Sequence, residues 1–153
     1  MKKLVVVAAI LALGGTAFAA SLNIPWFLDR GANDATYPPA SLEKSFITVK
    51  NNTSSDIVVT VAYTSADGSD NKGWVDTDAN TFVLAADSSI GWRPAGNDPA
   101  VEGAGAVVPN CDAASPKGAC ALSWAGAATD IQGRLIEVHL NKAYGYLLPT
   151  GLP

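Results

Sequence analysis

Histidine occurs once in this 153-residue chain, cysteine twice and methionine once, and no run of lysine or arginine appears anywhere. One histidine is too few for an ordinary zinc site, which draws several His or Cys ligands. His139 also has no G-x-S-x-G nucleophile elbow to serve, so a Ser-His-Asp hydrolase is excluded. The missing basic run excludes nucleic acid and anionic membrane as partners, because both are held by clustered positive charge. Long helices are absent from the pattern too: no window beyond the N-terminal segment keeps an i, i+3, i+4, i+7 apolar stripe, and 14 glycines and 9 prolines interrupt the chain. Apolar runs of membrane-spanning length, roughly 18 residues, are likewise lacking, so stable membrane insertion is not expected.

The N-terminal segment is nevertheless distinctive. Lys2 and Lys3, the apolar run from Leu4 to Leu13 and the ending Ala17-Phe18-Ala19 have the order of charges, apolar core and A-x-A site of a secretory signal peptide. Residues 1–19 are therefore read as a cleaved leader and residues 20–153 as one domain, secreted to the periplasm or the extracellular space. The chain holds 10 basic and 14 acidic residues, and two of the basic ones leave with the leader, so the mature domain is distinctly acidic. In an oxidising compartment an even cysteine count usually means pairing. A Cys111–Cys120 disulfide is the expectation, closing a short loop for roughly 2–3 kcal/mol.

Alternation with period two dominates what remains. Ile57, Val59, Val61 and Tyr63 alternate with Val58, Thr60, Ala62 and Thr64 in a β-branched run, which reads as a half-buried strand. Ser45 to Lys50 forms the strand before it, with Ile47 and Val49 toward the core and Phe46 on the other face, where an exposed aromatic would serve contact. The polar stretch from Asn51 to Asp56 between them reads as a hairpin or sandwich corner rather than as a glycosylation site, although Asn-x-Ser/Thr triplets start at Asn51 and Asn52. Phe82 and Leu84, then Ile90 and Trp92, flank the turn Ala86-Asp87-Ser88, and Cys120, Leu122 and Trp124 continue the pattern. Ile136, Val138 and Leu140 read as an inward row, with His139 toward solvent, and Tyr144, Tyr146 and Leu148 form a last strand. With Leu22 to Leu28 the total is about eight strands, an all-β antiparallel sandwich. The long connection from Pro94 to Pro116 is the one irregular stretch.

Three places carry candidate chemistry. Asp67, Asp70, Asp76 and Asp78 form an oxygen-rich loop that would suit calcium, although the spacing departs from an EF-hand and a solvated turn is the simpler reading. Trp74 in the same loop either folds back over the core or stacks against a sugar ring. Leu22, Ile24, Trp26 and Leu28 share one face of an extended N-terminal segment, with Pro25 placing it at a sheet edge. That strand either completes its own sandwich or inserts into a neighbouring subunit, as in donor-strand assembly.

The passages Phe46 to Tyr63 and Phe82 to Pro94 resemble the paired strands of bacterial immunoglobulin-like secreted domains over about a third of the chain. The resemblance implies an antiparallel sandwich and carries no catalytic residue to transfer. The expected function is a non-enzymatic exported protein with a structural or adhesive role at the cell surface, with protein partners or self-association through the N-terminal strand. The alternative is a carbohydrate-binding module built on Trp74 and supported by calcium; a glycosidase-like enzyme with paired carboxylates ranks third.

Overall fold

The computed structural model describes residues 19–30, 43–71, 80–96, 102, 108–112, 114–139 and 142–151. Among them lie nine strands: β1 (Ala19–Leu28), β2 (Lys44–Asn51), β3 (Ile57–Ser65), β4 (Thr81–Leu84), β5 (Ser89–Trp92), β6 (Lys117–Ala125), β7 (Ile131–His139), β8 (Lys142–Leu148) and β9 (Thr150–Gly151). They form two antiparallel sheets, ordered β4-β3-β6-β1-β9 and β5-β2-β7-β8. Among the described residues no helix is long and apolar enough to cross a membrane.

The inward rows explain why the sheets pack face to face. Val59, Val61 and Tyr63 on β3, Cys120, Leu122 and Trp124 on β6, and Leu22 and Ile24 on β1 are all buried from the first sheet; Ile47, Val49, Ile131 and Leu135 answer them from the second. Burial of this kind is worth about 25 cal/mol per Å² of apolar surface and is the main force holding the layers together. Two contacts stitch them directly. Trp92 Nε1 of β5 donates to Tyr63 Oη of β3 at 2.8 Å, and the Tyr63 hydroxyl donates onward to the Pro109 carbonyl at 3.0 Å. Gly133 on β7 leaves room for Leu22, whose Cδ1 lies 2.6 Å from where a Cβ would stand.

Asn51 makes the first corner between sheets. Its side chain is fully buried and donates to the carbonyls of Ser55, Leu84 and Ala85, while its Oδ1 accepts from Thr53 N and Thr53 Oγ1. Every polar valence of that amide is used, so Asn51 is a structural residue and not a glycan acceptor. The second corner, at Asp87 with φ 53°, is tied to the first through Asp87 N and the Thr53 carbonyl at 2.9 Å.

Several expectations need correcting. On β7 the core-facing row is Ile131, Gly133 and Leu135, not the row of Ile136 and Val138; Leu140 lies outside the described residues. A glycine in the middle of the true row hides it, since Leu22 of the opposite sheet supplies the missing bulk. Phe46 does face away from Ile47 and Val49, but it is only 4% exposed and offers no contact surface. Cys111 and Cys120 are both buried free thiols, not a disulfide. Hydrogen bonds hold the segment instead: Cys111 N donates to the Pro94 carbonyl at 2.7 Å, Asn71 Nδ2 to the Ser115 carbonyl at 3.0 Å, and Asp112 N to Asn71 Oδ1 at 3.0 Å.

Candidate functional site

The N-terminal strand changes phase at Pro25. Ile24 lies opposite Cys120 and Phe27 opposite Gly118, so three steps along β1 match two along β6, the signature of a β-bulge. Proline has no N–H to give to the ladder, which suits it to a bulge. The extra residue puts Phe27 into the core, where it meets Tyr63 edge-on at 5.8 Å, and turns Trp26 and Leu28 away from it. The single face expected for Leu22, Ile24, Trp26 and Leu28 is therefore split. Leu22 and Ile24 are fully buried in their own chain's core, and Trp26 is 45% exposed.

Across from them, the second sheet runs past the end of the core. Ser45 lies opposite Glu137, and Glu137 opposite Tyr144; in the next row Ile47, Leu135 and Tyr146 are aligned. Residues directly opposite in an antiparallel ladder share a face, so Glu137, Tyr144 and Tyr146 continue the core-facing side of the sheet. Yet Tyr144 and Tyr146 are each 51% exposed. The sandwich is open here. Trp26 and Leu28 of β1, Glu43 and Lys44 at the start of β2, Glu137, Val138 and His139 at the end of β7, and the two tyrosines of β8 enclose a groove of about 330 Å³.

The polar rim is paired. Glu43 Oε2 lies 3.8 Å from Arg30 Nε and its Oε1 3.6 Å from His139 Nε2, the latter an ion pair only when the imidazole is protonated. His139 is solvent-facing as expected, but it belongs to the groove rather than to a plain surface. Ser45 fixes the strand that carries Trp26: its Oγ accepts from Leu28 N at 3.0 Å and donates to the Leu28 carbonyl at 3.1 Å.

Immediately after Leu28, Asp29 anchors the end of β1. Asp29 and Arg93 form a fully buried ion pair, with Arg93 Nε and Nη2 donating to Oδ1 at 2.9 and 2.5 Å, while the amides of Ala95 and Gly96 each donate to Oδ2 at 2.9 Å. Burial pushes the Asp29 carboxyl above its ordinary 3.8, and the Arg93 guanidinium and the two amides pull against that push. Gly96 is required at its position, since a Cβ there would stand 2.4 Å from Arg93 Cζ. Asn110 Nδ2 closes the clamp by donating to the carbonyls of Arg93 and Gly96, at 3.0 and 2.6 Å.

Both cysteine side chains are buried. Burial and the Asp29 charge push Cys111 up to about 12, and burial with the neighbouring Cys111 pushes Cys120 well above the ordinary thiol value. Reactive cysteines need the opposite shift. Burial likewise raises the Tyr63 hydroxyl well above 10.0.

The acidic loop is only partly within the described residues. Asp67 makes a local turn, its Oδ1 accepting from Ser69 N at 2.9 Å and Ser69 Oγ at 2.6 Å, which lowers its carboxyl below the ordinary value. Asp70 bridges to Thr64. Trp74, Asp76 and Asp78 lie outside the described residues, and among the described ones no three His, Cys, Asp or Glu side chains gather to hold a metal ion.

Sequence reasoning passed over Tyr144, Tyr146, Glu43 and Glu137. The available signal was the Tyr-Gly-Tyr alternation on a terminal strand together with a proline just before Trp26. No family model, no curated protein and no solved structure matches the chain.

Proposed function

We propose that this chain is an exported, non-enzymatic protein with an immunoglobulin-like sandwich and a structural or adhesive role at the cell surface. Contact is made through the open end of the sandwich. The observation that carries the reading is the gathering of exposed apolar and aromatic side chains there: Trp26, Tyr144, Tyr146 and, on the other face of β8, Leu147 at 72%. Among the described residues the large aromatics Phe27, Tyr63, Trp92 and Trp124 are buried, so exposure there is selective rather than general. Exposed apolar groups gathered in one place are the usual mark of a contact surface.

Self-association through an exchanged β1 is the less favoured route, since Leu22, Ile24 and Phe27 already complete the core of their own chain. β8 offers a more accessible one. It is the outer strand of its sheet and is exposed along six of its seven residues, an arrangement that invites another strand. The leader-like segment supports export, and the acidic balance supports solubility after release.

The test is the fate of the protein in the cells that make it. Fractionation is expected to find a product beginning at Ala20, outside the cytoplasm and bound to the cell surface. An unprocessed cytoplasmic chain, or a processed one found wholly in the medium without any affinity for cells, would overturn the proposal.

A further inference from the structure

We infer that the groove between Trp26 and the β8 tyrosines is a binding site for a neutral sugar, one or two pyranose rings in size. The inference rests on the contact reading above and names the ligand of that surface. It is built on residues other than Trp74, to which the sequence alone directs attention.

Three observations converge. First, Trp26, Tyr144 and Tyr146 keep about half of their surface in solvent while lining one concave space. Aromatic faces held half-open in this way offer flat apolar area to the C–H-rich face of a pyranose, and the tyrosine hydroxyls keep a polar edge available. Second, hydrogen-bonding groups surround the rings. Glu137 and Glu43 are acceptors, and Arg30 and His139 bring donors to the rim. A few polar groups set into an aromatic wall is the usual composition of a small-molecule site, and 330 Å³ lies at the small end of the roughly 300–1,000 Å³ such sites span.

Third, the rim carboxylate is already engaged: Glu43 Oε2 lies 3.8 Å from Arg30 Nε and its Oε1 3.6 Å from His139 Nε2. An aromatic cage for an ammonium ion needs an uncompensated negative field to complement the cation–π attraction. Here Glu43 is engaged at the rim, and the hydrogen-bonding capacity left beside the aromatic faces suits a hydroxyl-rich neutral ligand.

The experiment titrates the mature chain, residues 20–153, with cellobiose, N,N′-diacetylchitobiose, lactose and xylobiose, and separately with tetramethylammonium chloride, followed by calorimetry and tryptophan emission. At least one disaccharide is expected to bind saturably. Trp26→Ala and Tyr144→Ala should each weaken it by about tenfold or more, as loss of a central aromatic contact does; Trp74→Ala should stay close to the parent. Should Trp26→Ala fail to fold, as judged by circular dichroism, Tyr144→Ala and Tyr146→Ala decide the matter. No saturable response to any disaccharide, binding that survives the groove substitutions, or binding of tetramethylammonium alone would overturn the assignment. Cell-surface affinity that persists in the absence of any sugar binding would refute the ligand while leaving the contact role intact; loss of both would refute the two together.

Discussion

Replacing Arg93 by methionine probes the anchor at the end of β1. The guanidinium is fully buried and supplies the only cation that faces Asp29 among its described contacts, two of whose four hydrogen bonds come from it. Breaking a buried pair by removing one partner costs about 3–5 kcal/mol, because the other charge stays behind without compensation. For a domain of this size that is a drop of about 10 °C in melting temperature. The loss should depend on pH in a definite sense. Burial already raises the Asp29 carboxyl above 3.8, and without Arg93 nothing charged opposes that push. A raised carboxyl contributes its stability below its unfolded value and loses it as pH rises through the folded one. Arg93→Met should therefore approach the parent near pH 4 and fall furthest behind at pH 8. Adding Asp29→Asn in the same chain removes the stranded charge and should recover a large part of the loss at pH 8. Urea melts followed by circular dichroism at both pH values measure all of this. A single variant as stable as the parent at pH 8, or a penalty unchanged between the two pH values and not relieved by Asp29→Asn, would refute the reasoning.

Other parts of the fold give further expectations. A Cβ at Gly118 would stand 2.0 Å from the Thr64 carbonyl oxygen, and backbone cannot yield as a side-chain tip does. Gly118→Ala should thus cost at least the 1–3 kcal/mol typical of overpacking, read from the urea midpoint. Tyr63→Phe strands the Trp92 indole N–H and the Pro109 carbonyl, for a loss of about 1–3 kcal/mol per buried group in the same assay. Cys111, raised to about 12, and Cys120 should both resist a chromogenic thiol reagent at pH 8 in the native state and react in urea, where two thiols per chain are counted. Because these two groups and Tyr63 all have raised values, stability should be intact below about pH 9 and decline above it, by up to about 1.4 kcal/mol per pH unit for each group; an alkaline melting series checks the sign.

The eight strands anticipated from alternation are all present, and the paired passages around Asn51 and Asp87 are sandwich corners as their turn chemistry suggests. Alternation is legible because half-buried strands carry it residue by residue. What it cannot report is phase after an interruption. Pro25 suggests a sheet edge, but β1 lies between β6 and β9 and the proline sits at a bulge; the inserted residue exchanges the roles of Trp26 and Phe27, and only pairing with β6 reveals this. On β7 the true core row contains Gly133, whose packing partner Leu22 is more than a hundred residues away, so the apolar Ile136 and Val138 dominate the local pattern. The groove was hidden for the same reason. Its walls come from β1, β2, β7 and β8, and no stretch of sequence holds more than a pair of its aromatic residues. The disulfide expectation failed differently: cysteine parity says nothing of geometry, and the loop is fastened by Asn71, Asn110 and main-chain hydrogen bonds.

The central claim is that the open end of the sandwich makes the contact. The most direct measurement compares the cell-surface affinity of two labelled variants of the mature protein. One carries Trp26→Ala and Tyr144→Ala in the groove; the other carries Val58→Ser and Val83→Ser, an equally exposed cross-strand pair on the first sheet. The groove variant is expected to lose binding while the other retains it. Retention by the groove variant, or loss confined to the Val58 and Val83 variant, would contradict the claim.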